Sequence, residues 1–172
     1  KNEIIVVIGG GNFWRGRNKL NISNVTSDQI GMLATNMNAL ALNSYLNSKG
    51  LKSVLYSSFL IEGIVNKYQI SDVLSKINDN LIIIGGGLGI PNFSTDMTVV
   101  EKAIELDCDM IIMAKNIDGI YTKDPKEKGA VKLSEITHEE LLNLQFTNGI
   151  EKQGVMDFEA LATIAKHKIP LY

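Results

Sequence analysis

The sequence predicts an α/β fold, in which a doubly wound, mostly parallel sheet is flanked by helices. A run of mainly β-branched residues at 4–8 ends in Gly9-Gly10-Gly11, and a second apolar run at 81–84 ends in Gly85-Gly86-Gly87. Neither run alternates between apolar and polar residues, which is typical of strands covered on both faces by helices. Stretches with helical periodicity separate the apolar runs, as in the βαβ units of a parallel sheet.

The predicted elements alternate between strand and helix. Residues 3–8 form the first strand, and the capping box Thr26-x-x-Gln29 opens a helix of about six turns that ends at Gly50. Apolar residues recur on this helix at helical spacing and are expected in the core: Ile30, Leu33, Met37 and Leu40. The later elements are a strand at 53–57, a helix at 71–79 capped by Ser71, strands at 81–84 and 110–113 separated by a helix at 95–107, a loop at 122–131, and helices at 138–144 and 157–168.

Composition limits the classes of function. The chain has 172 residues, 45% of them hydrophobic, which is enough for a single domain over 1–172 with a substantial core. A net charge of −2 and a pI of about 5.7 argue against a basic surface for nucleic acid or anionic membranes. No apolar run approaches the roughly 20 residues that span a bilayer, so we expect a soluble protein, and the cysteine content leads us to expect a cytoplasmic one. The single Cys108 and two distant histidines exclude an internal disulfide and a short zinc motif.

The two ends of the chain suggest a longer protein. The sequence begins without Met, almost directly on the first strand, and it stops at residues 169–172, which have the pattern of a starting strand. We therefore expect the chain to be truncated at both ends.

The first glycine run predicts a phosphate site. Residues 9–16 read GGGNFWRG. Residues without a Cβ let main-chain N–H groups approach an anion, and Arg15 supplies a planar fork for phosphate oxygens. A tight strand-to-loop turn with a solvated arginine is the alternative interpretation. The segment does not match a P-loop, and its glycine spacing does not fit a dinucleotide fingerprint, so a Rossmann dehydrogenase is disfavoured.

The second glycine run predicts another phosphate site. Residues 86–96 read GGLGIPNFSTD and lead into a helix whose first-turn N–H groups can cradle an anion. Ser94 or Thr95 can cap that helix, and capping alone explains either hydroxyl equally well. Asp96, beside a phosphate, can orient cationic groups or help hold Mg²⁺. Two phosphate sites make phosphoryl transfer the leading hypothesis.

Two further groups are candidates for nucleotide recognition. Asp28 falls in the first turn of the predicted long helix. There its carboxylate can bind a sugar or base, or simply interact favourably with the positive end of the helix dipole. Residues 115–125 read KNIDGIYTKDP and combine a lysine, an aromatic ring and carboxylates, which can bind a nucleotide by charge, stacking and hydroxyl recognition. Asp118-Gly119 and Asp124-Pro125 are equally ordinary turn sequences.

Together these segments resemble the amino acid kinase superfamily, and within it the bacterial uridylate kinases, over essentially the whole chain. The resemblance rests on residues 7–16 (VIGGGNFWRG), 28–42 (DQIGMLATNMNALAL), 91–96 (PNFSTD), 113–125 (MAKNIDGIYTKDP) and 155–162 (VMDFEALA). It implies a three-layer sandwich and transfer of the γ-phosphoryl group of ATP to UMP, with Mg²⁺ on ATP. It also implies a homohexamer in which the helix from residue 26 is a candidate interface.

The resemblance assigns a role to each candidate residue. Gly10 would contact the UMP phosphate, and Asp28 the UMP nucleoside. Gly11 and Arg15 would face the ATP phosphates, and Asp96 would organise the transfer site, so that Arg15 and Asp96 are the catalytic residues. The stretch that would wrap UMP consists of Leu88, Gly89, Ile90, Pro91, Asn92, Phe93, Ser94 and Thr95. The ATP adenosine pocket would consist of Lys115, Tyr121 and Asp124. No residue is assigned to a resident metal.

The sequence departs from the family pattern at three places. Leu88 and Ile90 stand where relatives offer polar groups to UMP, and relatives carry one more residue between Asn116 and Asp118. The Lys-x-Ser-Gly turn, whose lysine grips the transferring phosphoryl group, has no counterpart in the chain. Two alternatives therefore stay open: another enzyme of the superfamily with a different small acceptor, and a non-catalytic nucleotide-binding regulatory protein.

Overall fold

The chain forms two compact units. A computed structural model describes residues 2–15, 21–116, 118–123, 126–147 and 156–172. The units are Lys1–Thr98, which holds a parallel sheet with its helices, and Val99–Tyr172, which holds a small hairpin and two further helices. The α/β class predicted from the sequence is confirmed. A single domain over 1–172 stays a prediction.

The sheet of the first unit has four strands, all parallel. The strands are β1 (Ile5–Val7), β2 (Ser53–Ser57), β3 (Asn66–Lys67) and β4 (Leu81–Gly85), in the spatial order β1-β4-β2-β3. The register places Val7 of β1 and Tyr56 of β2 on either side of Ile84. Ile82, Ile83 and Ile84 are fully buried, so β4 is the two-sided core strand that its apolar run predicts. By contrast, β1 is only three residues long and half-buried.

Helix α1 (Asn24–Ser48) packs on β4 and β2. Its N-cap is Ser23, whose hydroxyl accepts a hydrogen bond from the Thr26 N–H at 3.1 Å. The predicted cap at Thr26 is therefore wrong, because Ser23 already accepts a first-turn N–H that lacks a helical partner. Asp28 consequently lies in the second turn rather than the first. The helix stops before Gly50, whose φ of +79° ends it as predicted.

The buried face of α1 is small and polar. Its buried residues include Ala34, Thr35, Asn36 and Ala39. The larger apolar residues predicted in the core are instead exposed, by 50% for Leu33, 52% for Met37 and 42% for Leu40. That prediction is wrong for these three residues, because small side chains let the helix approach the glycine-ended strand closely while the larger ones face away from the sheet.

Helix α2 (Ile70–Lys76) also starts earlier than predicted. Its N-cap is Gln69, whose carbonyl accepts hydrogen bonds from the N–H groups of Asp72 and Val73. Ser71 is therefore inside the first turn, and its predicted role as the cap is wrong. Helix α3 (Thr95–Glu105) begins at the predicted residue.

The second unit contains short strands and two helices. They are β5 (Ile120–Tyr121), β6 (Lys132–Leu133), α4 (His138–Thr147) and α5 (Phe158–His167). The strands β5 and β6 pair antiparallel around the predicted loop at 122–131, and two residues each are too few to produce a periodic signal. Helix α5 is capped by Asp157, whose carboxylate accepts the Ala160 N–H at 2.8 Å. Within the described ranges, no helix combines the length and apolarity that crossing a membrane requires.

Residues 110–113 do not form the predicted buried strand. Ile111 makes an isolated parallel bridge with Leu171, and its N–H donates to the Pro170 carbonyl at 2.8 Å. Ile111 is 3% exposed, whereas Ile112 is 72% exposed. One side of this segment therefore faces water, and an apolar run alone did not distinguish that arrangement from a two-sided core strand.

Candidate functional site

The two glycine runs follow neighbouring strands of the first unit. Strands β1 and β4 pair in parallel, and the Ile8 N–H extends the ladder by donating to the Ile84 carbonyl at 3.4 Å. Because parallel strands end at the same edge of a sheet, Gly9–Gly11 and Gly85–Gly87 leave the sheet side by side. The structure thus brings together the two segments predicted to bind phosphate.

In the first run, the middle glycine packs against α1. Gly10 is buried, and a Cβ built on it would lie 2.9 Å from the Gly31 carbonyl oxygen, the Thr35 nitrogen and the Ala34 Cβ. Any larger residue would push the helix away from the loop. Gly9 is exposed, and a Cβ built there would meet nothing within 4 Å. The first run therefore needs glycine at its centre because of a close approach.

Beyond Gly10 the chain turns back on itself. The Gly10 carbonyl accepts hydrogen bonds from the N–H groups of Phe13 and Trp14, both at 3.0 Å. Arg15 is exposed, and its Nε donates to the Gly11 carbonyl at 3.0 Å. The turn folds the predicted phosphate-binding arginine back over the predicted phosphate-binding glycine.

Helix α1 holds this loop at two points. The Asn38 Nδ2 donates to the Gly9 carbonyl and to the Asn12 Oδ1, both at 2.7 Å, while the Asn12 Nδ2 donates to the Asn38 Oδ1 at 3.1 Å. The Trp14 Nε1 donates to the Ser27 Oγ at 3.0 Å. Hydrogen bonds to α1 therefore fix the conformation of residues 9–14.

The second run uses glycine for its backbone conformation. The φ angles of Gly86, Gly87 and Gly89 are +80°, +58° and +81°, a region that residues with a Cβ rarely adopt. The Gly86 N–H donates to the Thr35 Oγ1 at 2.7 Å, and the Gly89 N–H donates to the Gly86 carbonyl at 3.1 Å. The Ser58 hydroxyl donates to the Gly87 carbonyl. These hydrogen bonds hold residues 86–89 in a turn at the end of β4.

The loop after the second run contacts Asp28. The Asp28 Oδ2 accepts a hydrogen bond from the Asn92 N–H at 2.8 Å, and Asn92 has a φ of +70°. Ile90 is 53% exposed and Phe93 44% exposed. The structure therefore brings Asp28 next to the stretch 88–95, which was predicted to bind the same nucleotide.

Ser94, rather than Thr95, caps α3. Its Oγ accepts a hydrogen bond from the Met97 N–H at 3.0 Å. Asp96 is half-buried in the first turn of this helix, at the end of the same loop. Within the ranges that the structure describes, no three His, Cys, Asp or Glu side chains gather as a metal site.

The predicted adenosine-binding residues belong to the second unit. The Tyr121 hydroxyl donates to the Asp118 Oδ1 and the Lys132 Nζ to the Asp118 Oδ2, both at 2.9 Å. These hydrogen bonds, the one from Lys132 first, lower the pKa of the Asp118 carboxyl, and the carboxylate in turn raises the pKa of the Tyr121 hydroxyl. Lys115 is exposed, and Asp124 lies outside the described residues.

Sequence reasoning missed the polar residues that hold the glycine runs. These residues, Thr35 and Asn38, sit on α1 among small residues. Sequence reasoning also missed Lys132, which bonds Asp118 in the second unit. A recognisable signal did exist, since Gly31, Ala34, Thr35 and Asn38 recur at helical spacing and mark a face without large side chains.

The chain is similar to known proteins over nearly its whole length. The family model described as "Amino acid kinase family" matches residues 1–172. A uridylate kinase of Mycoplasma mobile is 39% identical over 175 residues, covering 98% of this chain and 70% of that protein. The solved structures of UMP kinase from Ureaplasma parvum and from Bacillus anthracis are each 31% identical, with TM-scores of 0.88 and 0.89. The match covers 99% of this chain in both cases, and 72% and 69% of those chains.

Both the whole-length family match and the relative covered over more than two thirds of its length point the same way. This chain is a member of the amino acid kinase family, among the uridylate kinases.

Proposed function

We propose that this protein transfers the γ-phosphoryl group of ATP to UMP, forming ADP and UDP. The observation that carries the proposal is the adjacency of the two glycine runs at the ends of paired parallel strands. The first run would present the main-chain N–H groups of Gly10 and Gly11 to phosphates, and the second run leads into the stretch 88–95 assigned to UMP. Adjacent runs would therefore hold the acceptor against the donor, as phosphoryl transfer requires. The uridylate kinase of Mycoplasma mobile and the two UMP kinase structures support UMP as the acceptor.

The acceptor nucleotide is assigned to the first unit. We assign the UMP phosphate to the main chain of Gly10 on the resemblance of residues 7–16 to the uridylate kinases. The nucleoside is assigned to Asp28 and to the stretch 88–95, which the hydrogen bond from Asn92 to Asp28 already joins. The exposed apolar side chains of Ile90 and Phe93 would then cover the ribose or base by contact rather than by hydrogen bonding.

The donor residues are assigned on the resemblance of the sequence to uridylate kinases. Gly11 and Arg15 would receive the ATP phosphates, since the guanidinium is exposed beside the Gly11 main chain. We assign the adenosine to Lys115, Tyr121 and Asp124 of the second unit, on the resemblance of residues 113–125. Mg²⁺ would enter as part of the substrate, bound to the ATP phosphates.

The reaction needs positioning and charge neutralisation more than covalent chemistry. An oxygen of the UMP phosphate attacks the γ-phosphorus of ATP in line, the bond from that phosphorus to the β,γ-bridging oxygen breaks, and ADP leaves with the electron pair. Arg15 would neutralise charge that develops on the transferred group, and Asp96 would orient cationic partners from the first turn of α3.

A coupled assay of ADP release tests the proposal directly. The full-length protein is incubated with MgATP and one acceptor at a time: UMP, CMP, GMP or a small carboxylate. We expect the kcat/KM for UMP to exceed that for the other acceptors by at least about tenfold, which corresponds to roughly 1.4 kcal/mol of discrimination. No preference for UMP would remove the assignment of the acceptor.

We further propose a cytoplasmic homohexamer that serves pyrimidine nucleotide synthesis. The observation behind the assembly is the exposed apolar face of α1, since Leu33, Met37 and Leu40 form a stripe about two turns long. Covering it with a second copy of α1 would bury the stripe. Light scattering on the purified protein should give six times the mass of one chain, and Leu40→Glu should reduce it.

A further inference from the structure

We infer that one turn of α1, residues 35–38, is a clamp that fixes the two glycine runs relative to each other. Thr35 and Asn38 are its positioning residues. Thr35 holds the second run through Gly86, and Asn38 holds the first run through Gly9. The inference rests on the proposed function, because it explains how the UMP-wrapping stretch after the second run would be kept in place relative to the phosphates assigned to the first run.

The Thr35 arm of the clamp is buried. Thr35 is 5% exposed, and its Oγ1 donates to the Met32 carbonyl at 2.7 Å while accepting from the Gly86 N–H at 2.7 Å. A helical threonine hydroxyl commonly bonds only the preceding turn. Here the same hydroxyl also accepts a main-chain N–H of the run that follows β4. Removing it would leave the Gly86 N–H buried without that acceptor.

The Asn38 arm is exposed but makes more contacts. Its Nδ2 donates to both the Gly9 carbonyl and the Asn12 Oδ1, and its Oδ1 accepts from the Asn12 Nδ2. The carboxamide thus bridges the start of the first run and the residue just after it. An aspartate at this position would keep the shape but lose both donors.

The spacing of the two arms explains why they act together. Residues three apart on a helix lie on one face, with a rise of about 4.5 Å between them. A single rigid turn therefore sets the separation between the two runs. Reacting atoms need an approach of about 3–3.5 Å, and a misplacement of about 1 Å can cost about 10²-fold in rate. Under the proposed assignments, the clamp residues bond the two runs at Gly86 and Gly9 and would control this distance by holding the UMP-wrapping stretch 88–95 against the phosphates of the first run.

The Thr35 arm is tested with Thr35→Val, which removes the hydroxyl and keeps the shape, and with Thr35→Ser, which restores it. Thr163→Val is the matched control, because the Thr163 hydroxyl also bonds its own helix, at Glu159, but lies on α5. We expect Thr35→Val to lower kcat by about 30-fold with KM values within about threefold, and Thr35→Ser to recover kcat to within about threefold of wild type. Thr163→Val should leave both parameters unchanged.

The Asn38 arm is tested with Asn38→Asp. Asn80→Asp is its control, since the Asn80 amide donates to the Lys76 carbonyl, away from both runs. We expect Asn38→Asp to lower kcat by about tenfold, a smaller effect because its bonds are exposed to water, and Asn80→Asp to have no effect. A rise in KM with unchanged kcat in either clamp variant would overturn the inference.

Hydrogen exchange separates the clamp from the proposed function because it needs no ligand. The peptide containing Gly86 should exchange at least about fivefold faster in Thr35→Val than in wild type or Thr163→Val. Unchanged exchange would overturn the Thr35 arm even if UMP is the acceptor. Failure of UMP as an acceptor, combined with faster exchange, would remove the proposed function and leave the clamp standing.

Discussion

The two glycine runs look alike in sequence but require glycine for different physical reasons. In the first run none of the three glycines has a positive φ, and Gly10 is needed because α1 occupies the space of its Cβ. In the second run Gly85 also packs against α1, where a Cβ would meet Asn36, but Gly86 and Gly87 add φ angles of +80° and +58° that disfavour a side chain. The first run therefore needs glycine for packing alone, and the second run needs it for packing and for backbone conformation.

This difference shows that a triglycine motif carries less structural information than the residues packed against it. Both runs end parallel strands, and both contact the same turn of α1. The helix supplies a flat, small-residue face to the first run and a hydroxyl acceptor to the second. The two runs should therefore respond differently to the same glycine-to-alanine substitution, and the following predictions test that.

The largest expected effect is in the first run. Gly10→Ala should destabilise the protein by about 3 kcal/mol, because the new methyl group would lie 2.9 Å from main-chain atoms of α1 that cannot rotate away. Gly9→Ala is the neighbouring control and should change the free energy of unfolding by less than about 0.5 kcal/mol, since nothing lies within 4 Å. Urea unfolding measures both. Equal effects at the two positions would contradict the packing explanation.

The next effect concerns activity rather than stability. Arg15→Ala should lower kcat about 10²-fold, or about 2.7 kcal/mol, with little change in the melting temperature, because the side chain is exposed and makes one hydrogen bond to Gly11. Lys52→Ala, which removes an exposed positive charge next to β2, is the control. Activity of Arg15→Ala within a few-fold of wild type would make the assigned role wrong.

The second run should respond in a graded way. Gly86→Ala should cost about 2 kcal/mol, because it adds strain at positive φ to contacts of 2.6 Å with the Ser57 Oγ and 3.0 Å with the Ser58 nitrogen. Gly87→Ala should cost about 1 kcal/mol, since its φ of +58° is strained but its nearest neighbours are at 3.7 Å. Thermal unfolding at one protein concentration distinguishes the two. A larger loss of stability for Gly87→Ala than for Gly86→Ala would show that close contacts do not determine the cost of these substitutions.

The smallest effect is expected behind the second run. Asn36 is 6% exposed, and neither amide atom has a hydrogen-bond partner within the described part of the chain. Asn36→Val should therefore raise the free energy of unfolding by about 1 kcal/mol, by removing two unsatisfied polar atoms from a buried site beside Gly85. The change is read from the midpoint of urea unfolding. A destabilised variant would instead indicate that a buried water satisfies the amide.

Much of the fold could be predicted because its signals are local. The apolar runs gave β4 and β2 nearly to the residue, and Gly50 marked the end of α1. The errors occurred where a distant partner decides the outcome. Which face of α1 is buried depends on the glycine-ended strand beside it, so Leu33 was wrongly expected in the core. The one-sided bridge at Ile111 likewise depends on residues 170–172.

The residues of the candidate site divide in the same way, into those with a local sequence signal and those whose role depends on a distant partner. The glycines and Arg15 could be proposed as phosphate-binding candidates from residue type and position after a strand, and that role stays a prediction. The roles of Thr35 and Asn38 could not be predicted, because the small-residue face from 31 to 38 signals a close approach but does not say which loop each side chain bonds. The neighbourhood of Asp28 and Asn92, 64 positions apart in sequence, required the fold as well.

The hydrogen bond from the Asn92 N–H to the Asp28 carboxylate affects how substitutions of Asp28 should be interpreted. Under the proposed assignment of Asp28 to the nucleoside, an Asp28 variant would change two things at once: the direct recognition of the ligand and the conformation of the stretch 88–95, which is bonded to Asp28 through Asn92. Asp28→Asn keeps an oxygen that can accept the hydrogen bond from the Asn92 N–H, whereas Asp28→Ala removes that acceptor. Only the pair of variants, compared side by side, can separate recognition from scaffolding.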